Sequence, residues 1–281
     1  MKRYRVTQIE FDARANLLNL VIQDEWEPIV KQGHHATKLG IIEGLKTEFG
    51  QNQFSLKLTN FIDLGPAPFS IVSFHNNFAH QARIAFVMGS YYPALTAACS
   101  LGERILNHLI RRLREDFRTT PQYKNVYNKD SFDNWETVIE TLEAWDVLLP
   151  EAVLILKELA ELRNRSIHFN PEVDTNDRAL ALKSLKLLNQ LIDTQFGAFG
   201  SQPWFLVTPG ATFIKKSWET NPFIREIYLP NSQQVGPNHS IEFIKDRWVT
   251  HDTEYEPREI SDEEFVELII ENRNKINPPK P

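Results

Sequence analysis

The segment Arg163-Asn164-Arg165-Ser166-Ile167-His168 combines two side chains that are common in acid–base and phosphate chemistry. The imidazole of a histidine changes its charge near neutral pH and can therefore act as a general acid or a general base. The guanidinium of an arginine presents a planar set of N–H donors that suits phosphate oxygens. The segment is therefore a candidate catalytic or anion-binding site.

The helix that must position this segment is predicted to begin at Pro150 and has the apolar body AVLILKELAEL. With about 100° of rotation per residue, Arg163 falls on the apolar face of this helix. The other residues on that face are Leu149, Ala152, Leu156, Leu159 and Ala160. A charge in an apolar stripe is costly unless it is paired or lines a cleft. We therefore expect Arg163 to have a partner or to border a cleft.

The position of His168 depends on how the helix ends. Asn164 and His168 are four residues apart, so they can hydrogen-bond on one helix face and fix the imidazole. Arg163 and His168 are about 140° apart on an ideal helix and can reach one ligand only where the helix loosens. Pro171 is predicted to end the helix, which favours such loosening. The alternative is that Arg163, Arg165 and His168 are ordinary C-terminal cations stabilised by the helix dipole.

Several other kinds of chemistry are excluded or not indicated by the sequence. Cys99 is the single cysteine, which excludes an internal disulfide, a CxxC pair and a cysteine-based zinc site. The sequence contains no GxGxxG or GxxxxGKS/T phosphate loop, no GxSxG motif and no HExxH motif. We therefore predict no metal ion and no cofactor, and we interpret Cys99 as a small core residue.

The composition is typical of a globular protein. The 281 residues are 42% hydrophobic and 24% charged, which allows a sizeable core. The net charge of −6 argues against coating of nucleic acid by bulk charge and leaves a local basic patch open. No apolar run reaches the roughly 18 to 20 residues that span a bilayer, and the N-terminus does not resemble a secretory signal. These features predict a cytoplasmic protein without a membrane partner.

Residues 71–200 have the periodicity of helices. Asp133 with Glu136 is predicted to start one helix, and Asp174 or Thr175 is predicted to cap the last helix. The apolar residues at helical spacing indicate four or five antiparallel helices, which is typical of a bundle. The predicted helical segments are 76–88, 92–117, 133–145, 151–168 and 175–192.

The flanking residues are mixed in character. In residues 1–70 we predict a short strand near the start, a helix over 36–49 that ends at Gly50, and a strand over 54–58. Residues 201–281 are rich in strand patterns, and Ser261 with Glu264 is predicted to form a capping box before a last helix. The predicted strands of this region are 205–208, 212–217, 223–229 and 240–250.

These patterns predict a mainly α fold with additional β-structure, an α+β class. We expect three regions. Residues 1–70 form an N-terminal mixed region and residues 71–200 form an antiparallel helical bundle. Residues 201–281 form a small antiparallel β-rich appendage that ends in a helix.

Two features of the helical region resemble the HEPN superfamily (higher eukaryotes and prokaryotes nucleotide-binding). The pattern Arg-Asn-x-x-x-His at 163–168 stands near the end of a late bundle helix. The stretch FVMGSYYPALTAACSLGERILNHLIRRL resembles the paired first helices of such domains. The resemblance covers roughly residues 71–200, under half of the chain, and implies a HEPN-like bundle there.

Many HEPN domains that keep this motif are metal-independent endoribonucleases, often toxins of toxin–antitoxin pairs or effectors of anti-phage defence. The resemblance therefore implies cleavage of RNA by its own 2′-OH, which leaves a 2′,3′-cyclic phosphate. Carried over by position, Arg163, Asn164 and His168 are the implied catalytic residues. Because two motifs usually meet across a dimer of bundles, a homodimer or a higher homo-oligomer is implied, and a regulatory protein partner is expected.

An RNA-cleaving site also needs a positive surface. We expect Arg104, Arg111 and Arg112 of the long helix, with Arg165, to contact phosphates, and an ordinary solvated helix face is the alternative. Glu103 is expected to support the site by pairing with Arg163.

Two other interpretations stay open: a non-catalytic HEPN-like module that binds protein or nucleotide, and an unrelated bundle in which the motif is coincidence.

Overall fold

The structure is a computed structural model that describes residues 1–71, 73–132, 134–167, 171–245, 247–256 and 258–276. The helices are α1 Arg14–Asn19, α2 Pro28–Phe49, α3 Phe54–Leu64, α4 Ser73–Val87, α5 Tyr91–Leu113, α6 Trp135–Ala144, α7 Pro150–Ile167, α8 Pro171–Phe196 and α9 Asp262–Ile276. The strands are β1 Arg3–Val6, β2 Glu10–Asp12, β3 Ala67–Ser70, β4 Phe205–Thr208, β5 Ala211–Ile214, β6 Ser232–Val235, β7 Ser240–Ile244 and β8 Arg247–His251. The prediction of a mainly helical chain with additional antiparallel β-structure is confirmed.

The chain divides into two compact units. The helical unit is Glu10–Gly197, and the β unit combines Met1–Ile9 with Ala198–Pro281. These units do not coincide with the three predicted regions. Residues 10–70 belong to the helical unit because α3 packs against α4 and α8. The first nine residues belong to the β unit because they supply strand β1.

Helix α5 is the central element of the helical unit. It packs against α4, α6, α7 and α8, and its apolar residues repeat at helical spacing. Leu95, Ala98 and Ile110 are fully buried on it, and Cys99 is fully buried as the sequence predicts. Within the described parts of the chain, no helix has both the length and the apolar character that a bilayer crossing requires.

The strand predicted over 54–58 is wrong, because these residues begin helix α3. Alternation at Phe54, Leu56 and Leu58 also fits a helix, in which positions 54, 58 and 61 share one face. That face packs into a small cluster with the buried residues Leu45 and Phe61, whereas Leu56 is 43% exposed. The helix is therefore favoured over the strand because it buries one apolar face of this segment.

Helix boundaries differ from the predicted ones by several residues. Helix α2 begins at Pro28 rather than at residue 36, and it ends at Gly50, whose φ of 75° suits glycine. The predicted start at Asp133 lies outside the described residues, and the side chain of Asn134 caps α6. Pro171 begins α8, which breaks at Asn176 with non-helical angles, close to the predicted caps.

The β unit contains a four-stranded antiparallel sheet in the order β4-β5-β1-β6. Helix α9 covers this sheet, where Phe265 and Ile269 join the buried cluster of Phe213 and Val235. The predicted capping box is present, since the Glu264 N–H donates to the Ser261 hydroxyl at 3.1 Å. The hairpin β7–β8 lies in the segment predicted as strand over 240–250.

The strand predicted over 223–229 is wrong, because the chain forms a π-helical turn over Ile224–Tyr228. The side chain of Asn221 accepts hydrogen bonds from the backbone N–H groups of Phe223 and Ile224 and so begins the turn. The turn carries Tyr228 into an aromatic cluster around Trp204. The strand predicted over 212–217 ends at Ile214, and β6 was not predicted because its sequence SQQV is mostly polar.

Candidate functional site

Helix α7 presents Arg163 at the end of its apolar stripe. Ala152, Leu156 and Leu159 on that stripe are fully buried in the helical unit. Because Arg163 continues the same face, its side chain is drawn inward and is only 24% exposed. Arginine at this position therefore needs a partner, as the sequence predicts.

The partner is Glu103 on α5. The Arg163 Nη2 atom donates to Glu103 Oε2 at 3.1 Å, which forms an ion pair. The indole Nε1 of Trp135 donates to the same oxygen at 3.3 Å. Arg163 Nη1 lies 3.4 Å from Asn164 Oδ1, and its Nε is buried without a hydrogen-bond partner among the described residues. One carboxylate therefore fixes one edge of the guanidinium.

Trp135 is the residue of this arrangement that sequence reasoning missed. It opens α6, and the side chain of Asn134 caps that helix by accepting from the Thr137 N–H. The indole approaches α5 at Gly102, where an added Cβ would lie 2.6 Å from its Cη2 atom. The signal that could have indicated it is a tryptophan at a helix start, whose buried N–H requires an acceptor.

A cleft of about 500 Å³ lies beside the ion pair and is bordered by α6 and α7. Arg163 and Asn164 line it together with Lys157, Glu136 and Glu161. Its volume falls in the range of ligand-binding clefts, about 300 to 1,000 Å³. The lining carries charges of both signs, so an anion would be held at the guanidinium and the ammonium rather than over the whole surface.

The thiol of Cys99 does not supply a nucleophile at neutral pH. Burial raises the pKa of Cys99 to about 11, although a hydrogen bond with Ser166 and the charge of Arg163 lower it. The Ser166 hydroxyl donates to the Arg163 carbonyl oxygen at 3.2 Å. Both side chains therefore support the end of α7 rather than reactive chemistry.

Helix α5 has a basic face that contains Arg104, Arg111 and Arg112, all exposed, and the half-buried His108. The Arg104 guanidinium lies 4.5 Å from the centre of the Phe78 ring. Burial lowers the pKa of His108, and the charges of the three arginines lower it further. These arginines therefore create a shared positive field, which is the condition for phosphate binding.

The structure brings together Arg163, Asn164 and Glu103 and leaves Arg165 exposed in the last turn of α7. His168 lies outside the described residues, so its predicted contact with Asn164 stays a prediction. Glu103 and Arg104 are consecutive on α5, about 100° apart around the helix, so the ion pair and the basic face occupy adjacent sides.

Among the described residues, no group of three or more His, Cys, Asp or Glu side chains is arranged to hold a metal ion. Comparisons with protein-family models, with curated proteins and with solved structures found no match.

Proposed function

We propose that the chain is a metal-independent endoribonuclease of HEPN type. The observation that carries the proposal is the ion pair with Glu103, which holds Arg163 at the border of a cleft. Arg163 stands five residues before His168, the implied proton-transfer group. A guanidinium that stabilises charge and histidines that transfer protons are groups that can cleave RNA without a metal.

The reaction uses the nucleophile that RNA carries. The 2′-oxygen attacks phosphorus while a general base removes its proton, and the bond from phosphorus to the 5′-oxygen breaks as a general acid protonates that oxygen. The products are a 2′,3′-cyclic phosphate and a 5′-hydroxyl. His168 supplies one proton transfer, and His168 of a second copy supplies the other in a homodimer. Arg163 stabilises the charge that develops on the phosphate oxygens.

The RNA strand is held by the basic face of α5. Arg104, Arg111 and Arg112 are exposed there, and Arg165 is exposed at the end of α7. On a single strand, the salt slope of binding falls by about 0.7 for each phosphate that the protein no longer neutralises. Replacement of Arg111 and Arg112 by Ala therefore weakens RNA binding and flattens its salt dependence; an unchanged affinity and slope would exclude this surface.

The experiment is incubation of purified protein with mixed RNA in EDTA, beside the variants Arg163→Ala and His168→Ala. We expect cleavage by the wild type and a loss of at least about 100-fold in both variants, since each removes a group that acts in the transition state. His35→Ala is the matched control, because His35 is an exposed histidine elsewhere in the helical unit. We also expect products with 2′,3′-cyclic phosphate ends and no cleavage of an RNA with 2′-deoxy substitution. These two results would show that the 2′-OH is the nucleophile.

The role that follows is a toxin or anti-phage effector in the cytoplasm, controlled by a regulatory protein. Toxicity on expression that His168→Ala relieves supports this role. The second candidate is a non-catalytic module for protein or nucleotide. The net charge of −6 and the two glutamates that line the cleft favour a protein as its partner. Binding of RNA, nucleotide or partner without cleavage by the wild type under any condition supports the module and contradicts the nuclease.

A further inference from the structure

The β unit contains a positively charged pocket that the proposed function does not use. The pocket has a volume of about 300 Å³, and Arg5, His239 and Arg273 line it. No Asp or Glu is among its lining residues in the described part of the unit. The whole chain has 37 acidic residues against 31 lysines and arginines, yet the charged residues that line this pocket are the two arginines.

Arg5 differs from its neighbour on the same strand face. Arg3 and Arg5 are two residues apart on β1 and therefore point to the same side of the sheet. Arg3 is buried and donates to Asp262 at 2.7 Å. Arg5 has no carboxylate within ion-pair distance among the described residues, and burial and the charge of Arg273 lower its pKa. The charge of Arg3 is therefore balanced by Asp262, whereas Arg5 lies near a second cation, Arg273.

Arg273 is brought to the pocket by α9. Phe265, Ile269 and Arg273 follow each other at four-residue spacing, so the apolar stripe that covers the sheet ends in this guanidinium. At Gly210, in the turn between β4 and β5, an added Cβ would lie 2.8 Å from Arg273 Nη2. The φ of Gly210 is 69°, a conformation that glycine adopts at no steric cost. Because Gly210 has no side chain, the Arg273 guanidinium can lie close to the backbone of this turn.

His239 orients Arg5 without neutralising it. The His239 Nδ1–H donates to the Gly236 carbonyl oxygen at 2.7 Å, so Nε2 carries the lone pair and accepts from Arg5 Nη1 at 2.6 Å. Burial lowers the pKa of His239, which keeps the imidazole neutral. The nearby carboxylate of Asp252 is engaged by Lys2 at 3.0 Å and by the Gly236 N–H at 3.0 Å.

A second cleft adjoins this pocket, because Arg5 lines both. It has a volume of about 450 Å³, and Trp248 and Phe199 are among its lining residues. Trp248 is 72% exposed and Phe199 is 42% exposed. Exposed aromatic rings beside cations are the surfaces on which nucleobases stack.

We propose that the β unit binds a nucleotide, with its phosphate between Arg5 and Arg273 and its base against Trp248. Two guanidiniums match the charge and the several oxygens of a phosphate better than those of a carboxylate. The two clefts have volumes in the range of about 300 to 1,000 Å³ that is usual for small-molecule sites. The inference is independent of RNA cleavage, because every residue that it uses lies in the β unit.

The experiment is calorimetric titration of the full chain with the four nucleoside monophosphates, ATP, adenosine and inorganic pyrophosphate. We expect nucleotides and pyrophosphate to bind and adenosine to bind at least about tenfold more weakly than AMP, since it lacks the charged group. Arg273→Gln and Arg5→Gln weaken both nucleotide and pyrophosphate by at least about tenfold. Trp248→Ala weakens the nucleotide by about tenfold and leaves pyrophosphate within about twofold, since only the base is stacked.

Lys275→Ala is the matched control, because it removes an exposed charge from the same helix without touching the pocket. Thermal unfolding of each variant separates loss of binding from loss of the folded unit. The proposal is overturned if adenosine binds as tightly as AMP, or if neither nucleotide nor pyrophosphate binds in the millimolar range. A tenfold preference for 5′-phosphorylated single-stranded RNA over every mononucleotide would also overturn it, in favour of an RNA end as the ligand.

Discussion

The carboxylate of Glu103 holds two groups at once, the guanidinium of Arg163 and the indole N–H of Trp135. The Arg163 and Glu103 side chains are 24% and 32% exposed, so water weakens their attraction. The contribution of the pair to stability is therefore small, below about 1 kcal/mol. Its larger effect is geometric, because a bonded guanidinium has fewer orientations at the cleft.

Glu103→Gln therefore separates positioning from stability. With the charge removed, Arg163 loses its fixed orientation, and we expect kcat for RNA cleavage to fall by about tenfold, because misplaced groups stabilise the transition state less well. KM stays within about twofold, since the basic face of α5, on which we propose that RNA binds, is unchanged. Glu115→Gln is the control, because Glu115 pairs with Arg118 on the surface. An equal fall of kcat in both variants would contradict the positioning role.

His75 gives the helical unit a pH-dependent stability. Its pKa is lowered from 6.5 to about 3, first by burial and then by the charges of His108, Arg104 and Arg112. Below about pH 6.5 the unfolded chain takes up a proton that the folded chain does not, so stability falls until about pH 3. Between pH 7 and pH 5 this loss is about 2 kcal/mol.

We expect His75→Leu to remove most of this loss, measured as the change in the free energy of unfolding by urea at pH 7 and pH 5. The exposed residue His35 provides the control, and His35→Leu should lose as much stability as the wild type over the same interval. A His75→Leu profile parallel to that of the wild type would show that the buried imidazole is not the cause.

At the scale of elements, the close approach of α5, α6 and α7 depends on Gly102. A Cβ at this position would lie 2.6 Å from Trp135 Cη2 and 2.8 Å from Leu159 Cδ2. Gly102→Ala is therefore expected to destabilise the helical unit by about 1 to 3 kcal/mol through overpacking. Gly40→Ala, on the exposed side of α2 with no atom within 4 Å, should instead stabilise by about 0.5 to 1 kcal/mol. Urea unfolding of both variants measures the difference, and equal shifts would exclude the packing argument.

Secondary structure was predicted correctly where the apolar pattern fits only the helical period, and incorrectly where the pattern fits the helical and the strand periods equally well. The long apolar stripes of α5 and α7 can only be helical, and both helices were predicted. Residues 54–58 fit both periods, and only their packing against α2 selects the helix. In residues 223–229 the local β-propensity is overridden by two hydrogen bonds that the Asn221 side chain accepts from backbone N–H groups, and by the aromatic cluster around Trp204.

The candidate site could be predicted in the same partial way. Helical spacing places Arg163 on a buried face, so a partner was required and Glu103 was a natural choice. Trp135 could not be found in this way, because the position of an indole on a helix face does not indicate which residue of another helix accepts its N–H. The cationic pocket also escapes sequence reasoning, since Arg5 and Arg273 stand at opposite ends of the chain and carry no local motif.

At the scale of the whole molecule, the β unit is built from two separate parts of the chain. Strand β1 lies between β5 and β6, with Arg5 paired to Phe213 and Arg3 paired to Val235. Without residues 1–9 the sheet loses an inner strand, and the backbone groups of both neighbours lose their partners. The helical unit, Glu10–Gly197, does not include these residues.

We therefore expect a fragment of residues 10–197 to keep its helical circular dichroism and to unfold cooperatively. A fragment of residues 198–281 should remain unfolded, and attachment of residues 1–9 to its end through a flexible linker should restore cooperative unfolding. Circular dichroism and urea titration provide the measurement. Cooperative folding of 198–281 alone would show that β1 is dispensable for the sheet.

The placement of β1 also sets the order of events on the ribosome. The strand leaves the exit tunnel well before its partners β5 and β6, which follow only after residue 210. At about 5 to 20 residues per second, this strand waits on the order of 10 to 40 s for its neighbours, with its backbone groups open to other chains. Synthesis thus completes helices α1 to α8 before the sheet can close. A ribosome that stops before residue 211 therefore releases a helical unit whose β1 segment has unpaired backbone groups that can bind other chains.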